Sequence, residues 1–236
     1  MTDLTILYYT ANAIYEKAVE KIRDYLLEVT ENKYPIISVS QKPINFGHNI
    51  CVGEIGKTKY NLYKQILIGV REVTTKYVAC AEDDTLYAKD HFLKRPPNGV
   101  FSYDNNYWFA QSNYYWQITA ADEFKRGGMW GCISTTDTLL KNLTRRFEVY
   151  PTYEQVLAAK KLVWGEPGLN DHPYGMSTSK KTLFIYSKNP SVIFIHNEAM
   201  GSKQLTLSLD RHKPEDISYN LEPFGGIKKL WDTYWS

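Results

Sequence analysis

Three consecutive carboxylates, Glu82, Asp83 and Asp84, directly follow a short apolar run that begins at Tyr77. An apolar run that ends in turn-forming acids is typical of a buried strand that reaches the edge of its sheet. Ligands of open α/β sheets bind just outside the carboxyl ends of the strands. Because three acids at such an edge repel one another, we expect a cation between them, and their oxygens favour a divalent metal ion. A helix start or a turn is the alternative interpretation.

The composition limits the class of protein. The chain has 236 residues, 43% hydrophobic and 23% charged, which is typical of one large or two small globular domains. A formal net charge of +2 gives no overall argument for a nucleic acid or an anionic membrane as partner. The 19 tyrosines and 6 tryptophans exceed what a core needs, and such side chains suit flat, hydroxylated ligands such as sugars and bases.

The cysteines and the hydropathy pattern favour a cytoplasmic location. Cys51, Cys80 and Cys132 form no close pair, which argues against a disulfide framework or a zinc ribbon. The first residues lack the layout of a signal peptide, and no run of about 18 apolar residues is present. We therefore expect no membrane span.

Hydrophobic periodicity predicts a βαβ start. Leu4–Tyr9 is predicted as a central strand, and apolar residues that recur from Ile14 to Val29 indicate an amphipathic helix. Ile36–Val39 is a second strand, so parallel pairing and a right-handed crossover follow. The segment Gln41–Lys59 is irregular and long for a connection, and we expect it to carry function.

Further elements follow on both sides of the acids. A helix over Tyr60–Val73 leads to the third predicted strand, Tyr77–Ala81, which ends in the triplet. After the triplet we predict two helices, Thr136–Phe147 and Thr152–Val163, and a loop-rich tail. The predicted strands of this part are Val100–Tyr103, Tyr107–Ala110, Asn113–Ile118, Cys132–Ser134, Leu183–Tyr186 and Val192–His196. We predict an α/β fold, a Rossmann-like mixed sheet flanked by helices, in a single domain with two abutting halves, residues 1–92 and 93–236.

The twelve residues from Ala81 to Phe92 (Ala-Glu-Asp-Asp-Thr-Leu-Tyr-Ala-Lys-Asp-His-Phe) resemble the Asp-x-Asp region of GT-A glycosyltransferases. The similar variant is the Glu-Asp-Asp form with a downstream Asp-Phe-Phe, as in the N-acetylglucosaminyltransferase I type. The chain also looks like small glycosyltransferases of phages and bacteria, which implies the cytoplasm of a bacterium or of a phage-infected host. The resemblance implies a donor half (1–92) and an acceptor-binding, catalytic half (93–236).

The resemblance also implies a metal site. Asp84 corresponds to the acid that binds Mn²⁺ or Mg²⁺ directly, and Asp83 and Glu82 to acids that contact the ribose or metal-bound water. His196 corresponds to a late histidine that several GT-A enzymes use as a further ligand, although a hydrogen-bonding histidine at a strand end is the alternative. We expect Lys203, in the tail of the chain, to lie over the diphosphate, although a solvated surface charge is the alternative.

The implied donor-binding residues lie in three segments. Tyr9, Thr10 and Ala11 correspond to the end of the first strand, where the nucleotide base binds in the family. Lys57, Tyr60 and Lys64 are further candidates, although most lysines are solvated surface charges. The glycine-rich run from Gly127 to Gly131 corresponds to the loop over the donor sugar and adds Gly128, Met129 and Trp130 as candidates.

An inverting transfer needs a base that deprotonates the acceptor hydroxyl. The family places this acid late in the chain, which leaves Asp171 as the first candidate and Glu166 as the second. Asn170 stands where the family often has an acid. A turn-forming aspartate before His172 is the alternative explanation of Asp171.

The resemblance implies a hexosyl- or N-acetylhexosaminyltransferase that uses a nucleotide sugar, with a UDP-sugar as the expected donor. Two other functions stay open: a nucleotidyltransferase, and a non-catalytic carbohydrate- or nucleotide-binding module. The segment Thr10–Ala13 lacks the Gly-rich, cationic loop that nucleotidyltransferases usually carry there. The acceptor is equally open, and includes a glycan and DNA that carries hydroxymethylated bases.

Overall fold

A computed structural model of the chain describes residues 2–117, 127–159, 165–176, 182–197 and 217–235. The strands are β1 (Leu4–Thr10), β2 (Ile36–Ser40), β3 (His48–Cys51), β4 (Tyr77–Glu82), β5 (Thr85–Leu86), β6 (Phe101–Asp104), β7 (Tyr107–Gln111), β8 (Tyr114–Trp116), β9 (Cys132–Thr135), β10 (Thr182–Ile185), β11 (Ser191–Phe194), β12 (Ile217–Ser218), β13 (Asn220–Leu221) and β14 (Gly225–Gly226). The helices are α1 (Glu16–Val29), α2 (Lys59–Val70), α3 (Thr136–Val149), α4 (Tyr153–Ala158) and α5 (Ile227–Trp235).

The central sheet has seven strands in the order β10-β6-β9-β4-β1-β2-β3. Strand β1 pairs in parallel with β2 and β4, whereas β9 runs antiparallel to β4 and β6. All seven residues of β1 are buried, as predicted for an apolar central strand. The predicted α/β class with a mixed sheet is confirmed.

The two faces of the central sheet bury alternate residues of β1. Leu7 and Tyr9 point into a core that α2 and α3 cover, whereas Leu4 and Ile6 share the other core with Leu26 of α1. This arrangement follows from the two-residue period of a strand, because consecutive side chains point to opposite faces. Helices therefore flank the sheet on both faces.

Helix α2 lies unusually close to the sheet. It begins after Thr58, whose side chain accepts a hydrogen bond from the backbone of Asn61. Near its end, a Cβ atom on Gly69 would lie 2.3 Å from Cδ1 of Leu7 and 2.7 Å from Cγ2 of Val39. A larger residue would force these side chains to shift, so Gly69 allows α2 to pack closely on the middle of β1.

A second sheet of five strands, in the order β12-β8-β7-β11-β5, lies next to the acids. Strand β5 begins one residue after Asp84 and pairs in antiparallel fashion with β11, with Ile193 opposite Thr85. The backbone N–H of Phe194 also donates to the carbonyl oxygen of Asp84, at 2.8 Å. This pairing carries the residues after β11 to the triplet, although more than a hundred residues separate them in sequence.

A buried polar cluster holds the segment after the triplet. Nδ1 of His91 lies 3.2 Å from Oδ2 of Asp104, and both side chains are fully buried. Burial disfavours the charged carboxylate, yet hydrogen bonds from His91 and Ser187 outweigh burial and hold the pKa of Asp104 below its usual range. The cluster therefore joins the Asp90-His91-Phe92 segment to β6 and to the residues before β11.

Several elements differ from the sequence-based prediction, which did not include β5, β12, β13 and β14. Strand β3 lies inside the segment Gln41–Lys59, which was expected to be irregular, and its four residues are only half-buried or exposed. Helix α5 lies in the tail that was expected to be loop-rich, with Ile227, Leu230 and Tyr234 buried. The ends of the predicted elements Asn113–Ile118 and Thr152–Val163 lie outside the described residues.

Residues 93–236 supply β6, β9 and β10 to the same central sheet that β1, β2 and β4 form. The three cysteines are free thiols, with Cys80 and Cys132 buried. In the portion that the structure describes, no helix is long and apolar enough to cross a bilayer.

Replacement of Gly69 by alanine tests the close contact of α2. The added methyl group overlaps Leu7 and Val39, so we expect a loss of about 1–3 kcal/mol in the free energy of unfolding. This loss opposes the gain of up to about 1 kcal/mol that alanine brings to a helix. Urea unfolding measures the change. Lys64→Ala on the exposed face of α2 is the control and should stay within about 0.5 kcal/mol of wild type.

Candidate active site

The carboxylate triplet lies where the carboxyl ends of β4 and β1 meet. Tyr9 is directly opposite Glu82 in the ladder, and its hydroxyl donates to Oε1 of Glu82 at 2.6 Å. The hydroxyl of Thr10 donates to Oδ2 of Asp83 in a very short hydrogen bond. The structure thus brings together the acids and the end of the first strand, two segments about 70 residues apart in sequence.

Crowding and burial make the triplet electrostatically unfavourable. Burial raises the pKa of Glu82 to about 8, and the negative charge of Asp84 adds to the increase. Burial likewise raises the pKa of Asp83 to about 6, again with a contribution from Asp84. The hydrogen bonds from Tyr9 and Thr10 oppose these increases without cancelling them. The cluster therefore binds protons, or another cation, more readily than isolated carboxylates do.

His196 reaches the triplet from the end of β11. Its Nε2 lies 3.6 Å from Oδ2 of Asp84, and both side chains are largely buried. A carboxylate and an imidazole suit Mn²⁺ well, and several carboxylate oxygens lie next to them. Within the described ranges, no three His, Cys, Asp or Glu side chains form a complete metal cage. The residues therefore fit a divalent ion that takes its remaining ligands from water and a substrate, as Mg²⁺ and Mn²⁺ sites do.

A first cleft of about 580 Å³, counted to its open mouth, lies on one side of the acids. Its walls come from the end of β1, the segment before α2, the triplet and the end of β11: Tyr9, Thr10, Ala11, Ala13, Ile14, Gln41, Gly56, Lys57, Thr58, Leu62, Gln65, Glu82, Asp83, Asp84 and His196.

Three polar side chains that the sequence analysis did not select shape this cleft. Gln41 makes two hydrogen bonds with the backbone of Gly56, at 3.0 and 3.1 Å. Gln65 of α2 donates to the carbonyl oxygens of Thr10 and Val39, at 2.8 and 3.0 Å. Oδ1 of Asn12, a residue with φ of 52°, accepts from the backbone N–H groups of residues 41 and 42. Gln65 could have been found from the sequence, because it is a polar residue on the apolar face of the predicted helix.

A second cleft, of about 880 Å³ to its mouth, lies on the other side of the acids. It shares Leu62, Glu82 and Asp84 with the first cleft. Its lining is mainly apolar and aromatic: Lys59, Leu62, Tyr63, Glu82, Asp84, Phe109, Gly128, Met129, Trp130, Glu166, Ile193 and Ile195. The two clefts therefore meet at Glu82 and Asp84.

The glycine-rich segment forms part of the second cleft. A Cβ atom on Gly128 would lie 2.1 Å from the indole nitrogen of Trp130, so glycine lets this ring fold back over the chain. Trp130 is half-buried and packs edge-on against Tyr107, with ring centroids 4.5 Å apart. Met129 is buried beside the cleft. All three predicted residues of this segment thus line one cavity.

The two candidate bases lie in different surroundings. Asp171 is fully buried, and its carboxylate binds Arg146 at 2.9 Å, Asn142 at 2.9 Å and the backbone N–H of Gly168 at 2.9 Å. These contacts occupy the carboxylate, and no side of it faces solvent. Glu166, in contrast, lines the second cleft together with Glu82 and Asp84. The structure thus places Glu166 in the wall of the second cleft and Asp171 in the protein interior.

Two other candidate donor residues, Tyr60 and Lys64, are not among the described residues that line the clefts. Tyr60 is buried, donates to the carbonyl oxygen of Pro151 at 2.6 Å, and packs edge-on against Phe147. Lys64 is exposed on α2 and is absent from the described walls of either cleft. Lys203 lies outside the described residues. The contacts of Tyr60 give it a place in the core between α2 and α3, not in a donor site.

Comparison with solved structures relates this arrangement to known folds. A glycosyltransferase involved in the glycosylation of the major capsid of PBCV-1 matches 87% of this chain and 100% of its own, with 8% identity and a TM-score of 0.50. The glycosyltransferase GlyE of Streptococcus pneumoniae TIGR4 matches 99% and 60%, with 13% identity and a TM-score of 0.49. The bifunctional IspDF of Campylobacter jejuni matches 80% and 50%, with 11% identity and a TM-score of 0.43.

This chain thus spans about half to two thirds of the length of GlyE and IspDF. No family model and no curated protein sequence matches it. At such low identity a structural likeness shows the fold alone, and the match to the PBCV-1 glycosyltransferase extends over that whole protein. The chain has a GT-A-like glycosyltransferase fold.

The raised pKa of Glu82 predicts a pH dependence of stability. A group whose pKa is higher in the folded state contributes stability that is complete below its unfolded value, near 4.5, and is lost as the pH rises through about 8. Without added metal, the free energy of unfolding should therefore fall between pH 5 and 8, by at most about 1.4 kcal/mol per pH unit for one proton. Urea titrations at several pH values measure this slope.

Glu82→Gln removes the titrating group and can still accept the hydrogen bond from Tyr9. We expect it to flatten the slope. Glu72→Gln, at an exposed position just after α2, is the matched control and should keep the wild-type slope. Equal slopes in wild type and Glu82→Gln would contradict the assignment.

Proposed function

We propose that the chain is a metal-dependent glycosyltransferase that moves a sugar from a nucleotide sugar, with a UDP-sugar as the expected donor, to a hydroxyl acceptor. The observation that carries the proposal is the position of Glu82 and Asp84 at the junction of two clefts. A group transfer needs two substrates that meet at one point, and a negatively charged donor needs a cation there. The GT-A-like fold supports the same reaction class.

Asp84 and His196 are the residues proposed to hold Mn²⁺ or Mg²⁺. When bound, the ion acts as a Lewis acid that neutralises the charge on the departing nucleoside diphosphate. Without such an ion, a diphosphate would approach three carboxylates and be repelled. The same three carboxylates thus have two effects. They destabilise the protein without a metal ion, and they favour the binding of a diphosphate together with a cation.

The first cleft is proposed to bind the nucleotide. Its floor at Tyr9, Thr10 and Ala11 is held by the hydrogen bonds to Glu82 and Asp83 and by Gln65. Lys57 lies in its wall, where a cation suits phosphate oxygens. The paired hydrogen bonds between Gln41 and Gly56 hold the backbone next to Lys57, so the order of this wall does not depend on substrate.

Glu166 is proposed as the base. In this reaction the acceptor oxygen attacks the anomeric carbon, and the bond from that carbon to the diphosphate oxygen breaks, with its electron pair leaving on the diphosphate. The acceptor's proton passes to Glu166. A single displacement of this kind inverts the anomeric configuration. Asp171, held by Arg146, is proposed to keep the segment from Gly165 to Asp171 in place, because Arg146 also donates to the carbonyl oxygen of Gly165.

The second cleft is proposed to bind a glycan or another neutral hydroxyl compound. Its charged lining residues are three acids, Glu82, Asp84 and Glu166, against Lys59 alone. Aromatic faces such as those of Phe109 and Trp130 pack well against sugar rings. DNA carries a charge on every phosphate and would be repelled by this lining. The location of the acids thus favours a glycan over hydroxymethylated DNA as the acceptor.

Calorimetry with UDP, with UDP-sugars and with free sugars, each with and without Mn²⁺, tests the proposal. We expect UDP to bind at least about tenfold more tightly with Mn²⁺, because Asp84 would hold the ion and the ion would neutralise the charge of the diphosphate. Asp84→Asn should remove this dependence and lower turnover by about 10²-fold or more. Asp137→Asn, at an exposed acid of α3, should leave both unchanged.

The outcomes of these titrations also separate the other functions. Binding of free sugar without any dependence on nucleotide or metal would point to a carbohydrate-binding module. Release of pyrophosphate from a nucleoside triphosphate and a sugar phosphate would point to a nucleotidyltransferase. Either result would contradict a glycosyltransferase.

Glu166→Gln and Asp171→Asn test the choice of base. Glu166→Gln should lower kcat by about 10²–10⁴-fold and leave UDP affinity and the unfolding midpoint near wild type. Asp171→Asn leaves the buried charge of Arg146 without its partner, so we expect a loss of about 3–5 kcal/mol in stability. The part of Asp171→Asn that remains folded should turn over within a few-fold of wild type. A stable but inactive Asp171→Asn would return the base to Asp171.

A further inference from the structure

Helix α5 reaches the proposed metal site through its last residues. The ring of Trp235 stacks on the imidazole of His196, with centroids 5.3 Å apart and planes inclined by 26°. The same imidazole places Nε2 3.6 Å from Oδ2 of Asp84. Two successive contacts, Trp235 to His196 and His196 to Asp84, thus connect helix α5 to the carboxylate triplet.

Trp235 is itself held from several sides. It stacks on Trp231, with centroids 5.5 Å apart, and contacts Phe194 of β11 at 5.7 Å. It also packs against a small apolar cluster that is formed by Ile14, just before α1, and by Ala18 and Val19 of α1. Ile14 lines the first cleft as well. The indole therefore has one fixed position, set by α1, β11 and its own helix.

His196, in contrast, lies beyond the last ladder residue of its strand. Strand β11 ends at Phe194, and Ile195 makes the next backbone hydrogen bond, to Ala110 at 2.9 Å. An imidazole ring rotates freely about its last side-chain bond unless packing fixes its plane. A large flat ring against the imidazole face does this and does not cover the ring edge, which carries the nitrogens.

We propose that Trp235 is a positioning residue of the metal site, which stacks on His196 and holds its imidazole with Nε2 directed at Asp84. The inference rests on the proposed function, in that Asp84 and His196 are taken as the metal ligands. A ligand that is already oriented loses less freedom when the ion binds, so affinity is higher. Residues that orient metal ligands typically contribute 10–100-fold to metal affinity. Helix α5, absent from the sequence-based prediction, thereby becomes part of the site.

Electron paramagnetic resonance of free Mn²⁺, with and without UDP, measures the affinity of the full chain and its variants. His196→Ala removes the ligand, and we expect a dissociation constant at least about tenfold higher. Trp235→Leu should weaken Mn²⁺ binding to a similar extent, whereas Trp235→Phe keeps a flat ring and should stay within a few-fold of wild type. In the double variant Trp235→Leu/His196→Ala, the losses should not add, because Trp235 acts through His196.

Tyr234→Leu is the matched control. Tyr234 is buried in the same helix and packs on Phe194, with centroids 5.4 Å apart, so its loss removes comparable packing. We expect a lower unfolding midpoint with unchanged Mn²⁺ affinity. The ring protons of His196 give a second readout. In the NMR spectrum, the indole should shift them upfield in the wild type, and Trp235→Leu should remove that shift.

The outcomes separate this inference from the proposed function. If His196→Ala weakens Mn²⁺ binding but Trp235→Leu does not, the positioning role is overturned and the metal site stands. Equal weakening by Trp235→Leu and Tyr234→Leu would also overturn it, because packing alone would then explain the effect. If neither Asp84→Asn nor His196→Ala changes Mn²⁺ binding, the ligand assignment fails, and the positioning role fails with it.

Discussion

The burial and mutual repulsion of Glu82, Asp83 and Asp84 are the constraint on which the rest of this structure depends. Three carboxylates at a buried strand end are costly, and the raised pKa of Glu82 and of Asp83 expresses that cost. The hydroxyls of Tyr9 and Thr10 offset part of it. The cost that is not offset favours the binding of a cation at this edge of the sheet. The instability of the metal-free edge and its proposed function therefore have the same cause. Natural proteins often accept such a cost at a functional site.

The second sheet explains how distant segments reach this edge. Strand β5 is only two residues long, yet it turns the chain directly after Asp84 and pairs it with β11. Because of this pairing, His196 lies next to Asp84, and Ile193 and Ile195 form a wall of the second cleft. One short antiparallel pair therefore builds both the proposed metal site and the proposed acceptor cleft.

Buried polar side chains keep the walls of the clefts in place. Arg146 and Asp171 hold the segment that carries Glu166, and Gln41 holds the backbone beside Lys57. A buried ion pair of this kind adds little net stability compared with apolar packing, but its loss leaves an unpaired charge. Such contacts define where a loop lies more than how stable the protein is. The division of roles between Asp171 and Glu166 follows from this difference: one acid orders the segment, and the other faces the cavity.

The sequence by itself determined the βαβ start, the central position of β1 and the acids at the end of β4, because these depend on local periodicity and on residue types next to a strand end. Most of the site residues that it selected, through the resemblance of the segment around Asp84, line the clefts. Only the tertiary structure decided what depends on burial and on contacts between distant segments. It separated Glu166 from Asp171, placed Tyr60 in the core, and showed β3, which lacks an apolar pattern, and α5. The tertiary structure also decided that His196 lies next to Asp84 and Trp235 next to His196, since strand pairing and helix packing create these contacts.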